Sequence, residues 1–127
     1  MALPAELDDD QRKELARELG QAIAARFGVA VDVCVHAPDK EGDDRNFHAH
    51  LLATTRQIDV DGNLGAKASI ELGNKDRAKA GIPGTTQDEI TAVRAQWAEL
   101  TNAALERAGH AVRVDHRSYA AQGIDLT

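Results

Sequence analysis

The sequence predicts an α+β domain, an antiparallel sheet backed by helices, and three patterns predict it. Leu15, Leu19 and Ile23 recur four residues apart, the interval of one face of an α-helix. Val29, Val31, Val33 and Val35 alternate with Ala30, Asp32, Cys34 and His36, and Phe47, Ala49, Leu51 and Ala53 alternate with His48, His50, Leu52 and Thr54. A period of two belongs to strands with one buried face. Ile90, Val93, Trp97, Leu100, Ala104 and Ala108 then restore the helical interval. Read in order, helix, strand, strand, loop, helix and strand give antiparallel strands covered by helices.

The first helix is expected over residues 10–27. Asp8, Asp9 and Asp10 suit the positive end of its dipole and can cap it, and Gly28 stands where a left-handed C-terminal cap is wanted. A strand follows at once. The polar stretch 37–45, with its proline and glycine, reads as a long hairpin loop leading into the second strand. Residues 57–86 are rich in turn formers: Asp61-Gly62-Asn63 and Gly65 imply a tight reversal, and the region as a whole is expected to be a flexible, ligand-contacting loop. The second helix follows, with Thr86 and Glu89 at capping-box spacing and Gly109 ending it. Residues 111–116 read as a short strand, and 118–122 as a helical turn stopped by Gly123.

A length of 127 residues suits a single domain spanning 1–127. The net charge of -6 gives no chain-wide basic footprint, so any nucleic-acid contact has to use a local patch. The single cysteine, Cys34, rules out an intrachain disulfide and a thiolate-rich cluster within this chain, which fits a reducing cytoplasm. No long uncharged apolar run and no basic-then-apolar leader is present, so the expected location is the bacterial cytoplasm.

The segment carrying chemistry is Asn46-Phe47-His48-Ala49-His50. Two histidines separated by one residue share a face of a strand, and a hairpin brings His36, at the end of the preceding strand, near His48. Three neutral imidazoles from adjacent strands leave open coordination positions for water or a phosphate oxygen, which is a catalytic rather than a structural arrangement. Imidazole favours Mn, Zn, Co or Ni over Mg. The plainer alternative is that strand histidines lie at the surface or satisfy hydrogen bonds. Arg45, Asn46 and Arg56 bracket the pair and give it the polar surroundings of a site.

The run from Gly42 to His50, continuing to Thr54-Thr55-Arg56, resembles the third motif of the MobA/MobL relaxases, the histidine-hydrophobe-histidine endonucleases of conjugation and plasmid mobilisation. Residues 3–7, 28–36, 97–109, 113–118 and 122–124 resemble further stretches of the same domain in the same order. The resemblance implies a partial relaxase-like domain that acts on single-stranded DNA at an origin of transfer. In the family a tyrosine attacks the scissile phosphate and stays joined to the 5′ end, while a divalent metal ion, Mn or Mg, polarises the phosphate. It implies His48 and His50 as metal ligands, His36 as the third, and Arg45, Asn46, Arg56, Arg113 and Arg117 as DNA or phosphate contacts. Each arginine has the alternative reading of a solvated surface charge. His116 is open between a structural, an orienting and a DNA-contacting role.

The family's tyrosine lies upstream of the motif, and the only tyrosine here, Tyr119, does not match it. The expectation is therefore the C-terminal, metal-binding part of a relaxase domain, unable to nick by itself. It is expected to expose an edge or face that an N-terminal relaxase segment or a second copy covers. Two other functions compete. One is a noncatalytic DNA- or protein-binding remnant, which the acidic charge favours. The other is a histidine-triad nucleotide hydrolase, which Leu52 disfavours by standing where a further alternating histidine is needed.

Overall fold

One helix lies across a three-stranded antiparallel sheet and a second helix packs on the first in the computed structural model, which describes residues 1–38, 46–117 and 122–123. Helix α1 spans Asp9–Phe27. Its N-cap is Asp8, whose Oδ1 accepts the Gln11 N–H at 2.7 Å while Gln11 Oε1 accepts the Asp8 N–H at 2.9 Å, a reciprocal capping box. Gly28 closes the helix at φ 67°, and its N–H donates to Ala24 O at 2.8 Å. That left-handed conformation is strained for a side chain with a Cβ. The expected helix is thus present with its expected stop.

Strands β1 (Ala2–Leu3), β2 (Val31–His36) and β3 (Phe47–Ala53) form a sheet in the order β1-β3-β2, with both pairings antiparallel. The period-two reading holds for β2 and β3. Val33 lies opposite Leu51 and Val35 opposite Ala49, which places the odd-numbered apolar residues on the face toward α1. Leu3, Leu7, Leu15, Leu19, Ala49 and Leu105 are buried in that core, with Leu105 coming from helix α3, Thr86–Arg107. The packing of α1 on β2 is close at Gly20, where an added Cβ would lie 2.6 Å from Val33 Cγ2.

Strand β1 was not expected, because two residues carry no periodicity. Arg12 holds it in place. Its guanidinium, almost fully buried, donates to the carbonyls of Leu7 and, at 3.3 Å, Ala5, pairs with Asp9 at 2.6 Å, and lies 3.5 Å over the Phe47 ring. One planar cation thereby satisfies the turn after β1 and caps the first residue of β3 by a cation–π contact.

The expectation of a loop over 57–86 is corrected. Strands β4 (Arg56–Ile58) and β5 (Leu64–Lys67) form a hairpin. At its tip Asp59 Oδ1 accepts the N–H groups of Asp61 and Asn63, each at 2.9 Å, and Gly62 has φ 84°, so the reversal read at Asp61-Gly62-Asn63 is real. A 3-10 turn, Ser69–Glu71, and a short helix α2, Asn74–Lys79, follow. Arg77 organises them: buried, it pairs with Glu89 and donates to Ser69 O and Pro83 O, each at 3.1 Å. A long-range ion pair leaves no mark on local periodicity, which is why composition read this stretch as loop.

The capping box of α3 is also corrected by one residue. Thr85 is the N-cap and Asp88 the reciprocating acid; Glu89 instead serves Arg77 and accepts the Ser69 hydroxyl at 2.6 Å. The strand expected over 111–116 is absent. Val114 has its N–H accepted by Asn102 Oδ1 at 2.8 Å and its carbonyl bonded by Asn102 Nδ2 at 3.0 Å, so a side-chain amide takes the place of a neighbouring strand. Residues 118–121 of the expected turn and 39–45 of the expected loop lie outside the described residues.

Three outcomes follow from this packing. Gly20→Ala gains about 1 kcal/mol of helix propensity but overpacks Val33, at a cost of about 1–3 kcal/mol; urea unfolding should show a net loss, with the Gly20→Ala, Val33→Ala double variant less destabilised than the sum of the singles. Arg77→Ala strands the half-buried Glu89 carboxylate and should lower unfolding free energy by about 3 kcal/mol. The Asp88 carboxyl is held below the usual carboxylate range by the Thr85 backbone N–H and hydroxyl, and then by Arg77. Its stabilisation is therefore complete above the unfolded value of about 3.9 and is lost as pH falls through the lower folded value, so Asp88→Asn should flatten stability against pH in that acid range.

Candidate metal centre on the open face of the sheet

The register that buries the odd-numbered residues of β3 turns its even-numbered residues to the opposite face. His48 lies directly opposite His36, and His50 opposite Cys34. The three imidazoles therefore gather on two neighbouring rungs. Their ring centres are 4.3 Å apart for His36 and His50, 5.7 Å for His48 and His50, and 6.2 Å for His36 and His48. For comparison, a tetrahedral or octahedral ion with metal–nitrogen bonds of about 2.1 Å sets its imidazole ring centres about 4.5–5 Å apart. Among the described residues no three His, Cys, Asp or Glu side chains are already converged to hold a metal. Closing the His48 ring toward the other two requires side-chain rotation on a face where His36 and His50 are exposed.

The site's edges are set by the N-terminus. The Met1 ammonium donates to Ala49 O at 2.8 Å, and the Ala49 N–H donates to Met1 O at 2.8 Å, extending the β1 ladder by one residue. Beside it a cleft of about 400 Å³ is lined by Met1, Ile23, Ala49, His50, Leu51 and Ala53. His50 is held below the usual imidazole range by the charge of His36, then by partial desolvation, His48 and the N-terminal ammonium. That environment favours the neutral ring, the form that binds metals.

The structure brings His36, His48 and His50 together and gives the basic residues local partners. Asn46 is exposed immediately before β3. Arg56, on β4, donates to Gly65 O at 3.0 Å, and Arg113 donates to Val112 O at 2.7 Å. Arg117 pairs with Asp115 at 2.7 Å, and this contact pulls the Asp115 carboxyl down to about 2. Arg45 and Tyr119 lie outside the described residues. Cys34 and Leu52 share the histidine face, Leu52 being 74% exposed. The alternation that placed His36 on this face carries Cys34 with it.

The family model for the MobA/MobL family matches residues 1–127. The chain belongs to the MobA/MobL family. Among curated relatives it is similar to the mobilization protein MobL of Acidithiobacillus ferridurans, with 40% identity over 98% of this chain and 37% of that protein. It is also similar to mobilization protein A of Escherichia coli, with 36% identity over 98% of this chain and 18% of that protein. A solved structure from work on the molecular basis of vancomycin resistance transfer in Staphylococcus aureus superimposes with a TM-score of 0.66 at 30% identity, over 93% of this chain and 55% of that one. This MobA/MobL chain thus spans little more than a third of the first of these relatives and less than a fifth of the second. The α+β architecture read from periodicity and the family read from the motifs both hold.

Removing the partner of Asp115 tests the assignment of local charge. Arg117→Ala should return the Asp115 carboxyl from about 2 toward the ordinary carboxylate range, a shift that side-chain NMR titration would resolve.

Proposed function

We propose that this chain is the metal-binding part of a plasmid mobilisation relaxase that acts on single-stranded DNA at an origin of transfer. The observation that carries the reading is the meeting of His36, His48 and His50 on one open sheet face in a MobA/MobL chain. The donor set fits a divalent cation: three neutral imidazoles suit Mn, Zn, Co or Ni by ligand preference, and Mg is the harder alternative. When bound, such an ion supplies Lewis-acid stabilisation of charge on a phosphate oxygen.

The chain's own residues supply rigidity and orientation. β2 and β3 fix the three ring origins on adjacent rungs, and the apolar odd-numbered face locks that register against α1. In this reading Asn46 and Arg56 contact phosphates flanking the scissile bond, with Arg45, Arg113 and Arg117 as further backbone contacts. Arg117 is the weakest of these because Asp115 already compensates its charge.

Strand transfer by a tyrosine requires a hydroxyl on the histidine face. We assign that group to a relaxase segment other than Tyr119, held against the sheet edge on which β1 covers only Phe47 and His48 and Met1 reaches Ala49. An N-terminal relaxase segment, or a second copy, is the proposed partner for that edge. No helix among the described residues is long and apolar enough to cross a membrane, and a bacterial cytoplasmic setting is part of the same proposal. The net charge of -6 and the compensation of Arg117 favour a second reading, a noncatalytic DNA- or protein-binding remnant of a relaxase.

Elemental analysis of the purified, folded chain should find one divalent ion per chain, lost in His48→Ala and His50→Ala. Single-stranded origin DNA should bind the metal-loaded chain more weakly as salt rises, and the chain alone should leave that DNA uncut. A folded chain without stoichiometric metal overturns the metal assignment. Metal binding without any DNA affinity leaves the remnant reading in its protein-binding form.

A further inference from the structure

Cys34 completes a rectangle of side chains on the open sheet face. Its ladder partner is His50, and the neighbouring rung is His36 opposite His48. On adjacent rungs of one face, directly opposed residues have Cβ atoms about 4.5–5.5 Å apart, so three corners hold imidazoles and the fourth holds a thiol. The thiol is exposed. Its Sγ lies 4.0 Å from Asp32 Oδ2, along its own strand, and a single side-chain torsion governs its direction.

We propose that Cys34 is a metal-selecting residue, engaging the ion held by His36, His48 and His50 when that ion is thiophilic and standing aside when it is not. The inference rests on the metal-site reading above. The chemistry follows from ligand preference: Zn and Co accept mixed thiolate and imidazole donors in a tetrahedral set, whereas Mn and Mg favour oxygen donors over sulfur. Engagement releases the thiol proton to solvent and forms one metal–sulfur bond. A site of three imidazoles and one thiolate has the closed tetrahedral form of structural zinc centres, and a site of three imidazoles alone keeps positions open for phosphate oxygens. The same four side chains would therefore give an open centre with a hard ion and a closed one with a soft ion.

The test is cobalt titration of the reduced 127-residue chain, followed by absorption spectroscopy without oxygen, alongside Cys34→Ser, His48→Ala and a thermal melt of each variant. The wild-type chain should develop a near-ultraviolet thiolate-to-cobalt charge-transfer band that saturates at one equivalent. Cys34→Ser, folded by its melt, should lose that band while still binding cobalt through its histidines, and His48→Ala should lose the saturating band. Cobalt bound in the wild type with no thiolate band, or with a spectrum that Cys34→Ser leaves unchanged, overturns the role of Cys34 and leaves the three-histidine site standing. A thiolate band that persists unaltered in His48→Ala also overturns it, since the thiol would then bind cobalt without the full three-histidine set. No cobalt binding by a folded wild-type chain overturns the three-histidine reading itself, and Cys34 with it.

Discussion

The register of one antiparallel pair governs the candidate site. With Val33 opposite Leu51 and Val35 opposite Ala49, every odd-numbered side chain of β2 and β3 turns toward α1 and every even-numbered one turns away. A slip of one residue would carry the histidines into the core and the apolar residues into water, an exchange that burial energetics forbid. The hydrophobic effect, acting on residues that do no chemistry, thus sets His36 against His48 and stacks His50 on the next rung. The close approach of α1 at Gly20 reinforces the same register by fitting the helix backbone onto Val33.

Two buried arginines hold the segments that periodic structure does not. Arg12 gathers the carbonyls of the turn after β1 and covers Phe47, so the N-terminal residues stay paired to β3 beside the histidines. Arg77 does the equivalent for the stretch between the β4–β5 hairpin and α3, tying Ser69, Pro83 and Glu89 to one guanidinium. In both places a planar cation with several donors satisfies backbone carbonyls that no helix or strand would reach. Most of these contacts join neighbouring segments, with Arg12 over Phe47 the distant one, and they stabilise because the charge is enclosed by partners rather than left alone.

The two faces of the sheet differ in chemistry. One face is sealed by Leu15, Leu19 and Leu105, while the other displays imidazoles, a thiol and the exposed Leu52. Imidazoles gathered on such a surface repel one another when protonated, which is the leading reason that His50 resists charging. A neutral His50 ring keeps its lone pair available for donation. A cleft lined by Met1, Ile23, Ala49, His50, Leu51 and Ala53 borders the same strand.

The sequence by itself determined the two long helices, the β2–β3 pair, the stop at Gly28, the reversal at Asp61-Gly62-Asn63 and the shared face of His48 and His50. Each is a local property, written in a spacing of four, a spacing of two or a residue suited to one backbone conformation. It also carried the family, through motifs spread along the chain. Tertiary structure alone decided the pairing of β1, which is too short to show a period, and the order of residues 57–86, which depends on Arg77 reaching Glu89. It decided that residues 111–116 form no strand, because Asn102 satisfies Val114 in a neighbour's place. The distances among the three rings belong to the same class. Alternation says which face a side chain takes, but only the register between two strands says which side chains meet there.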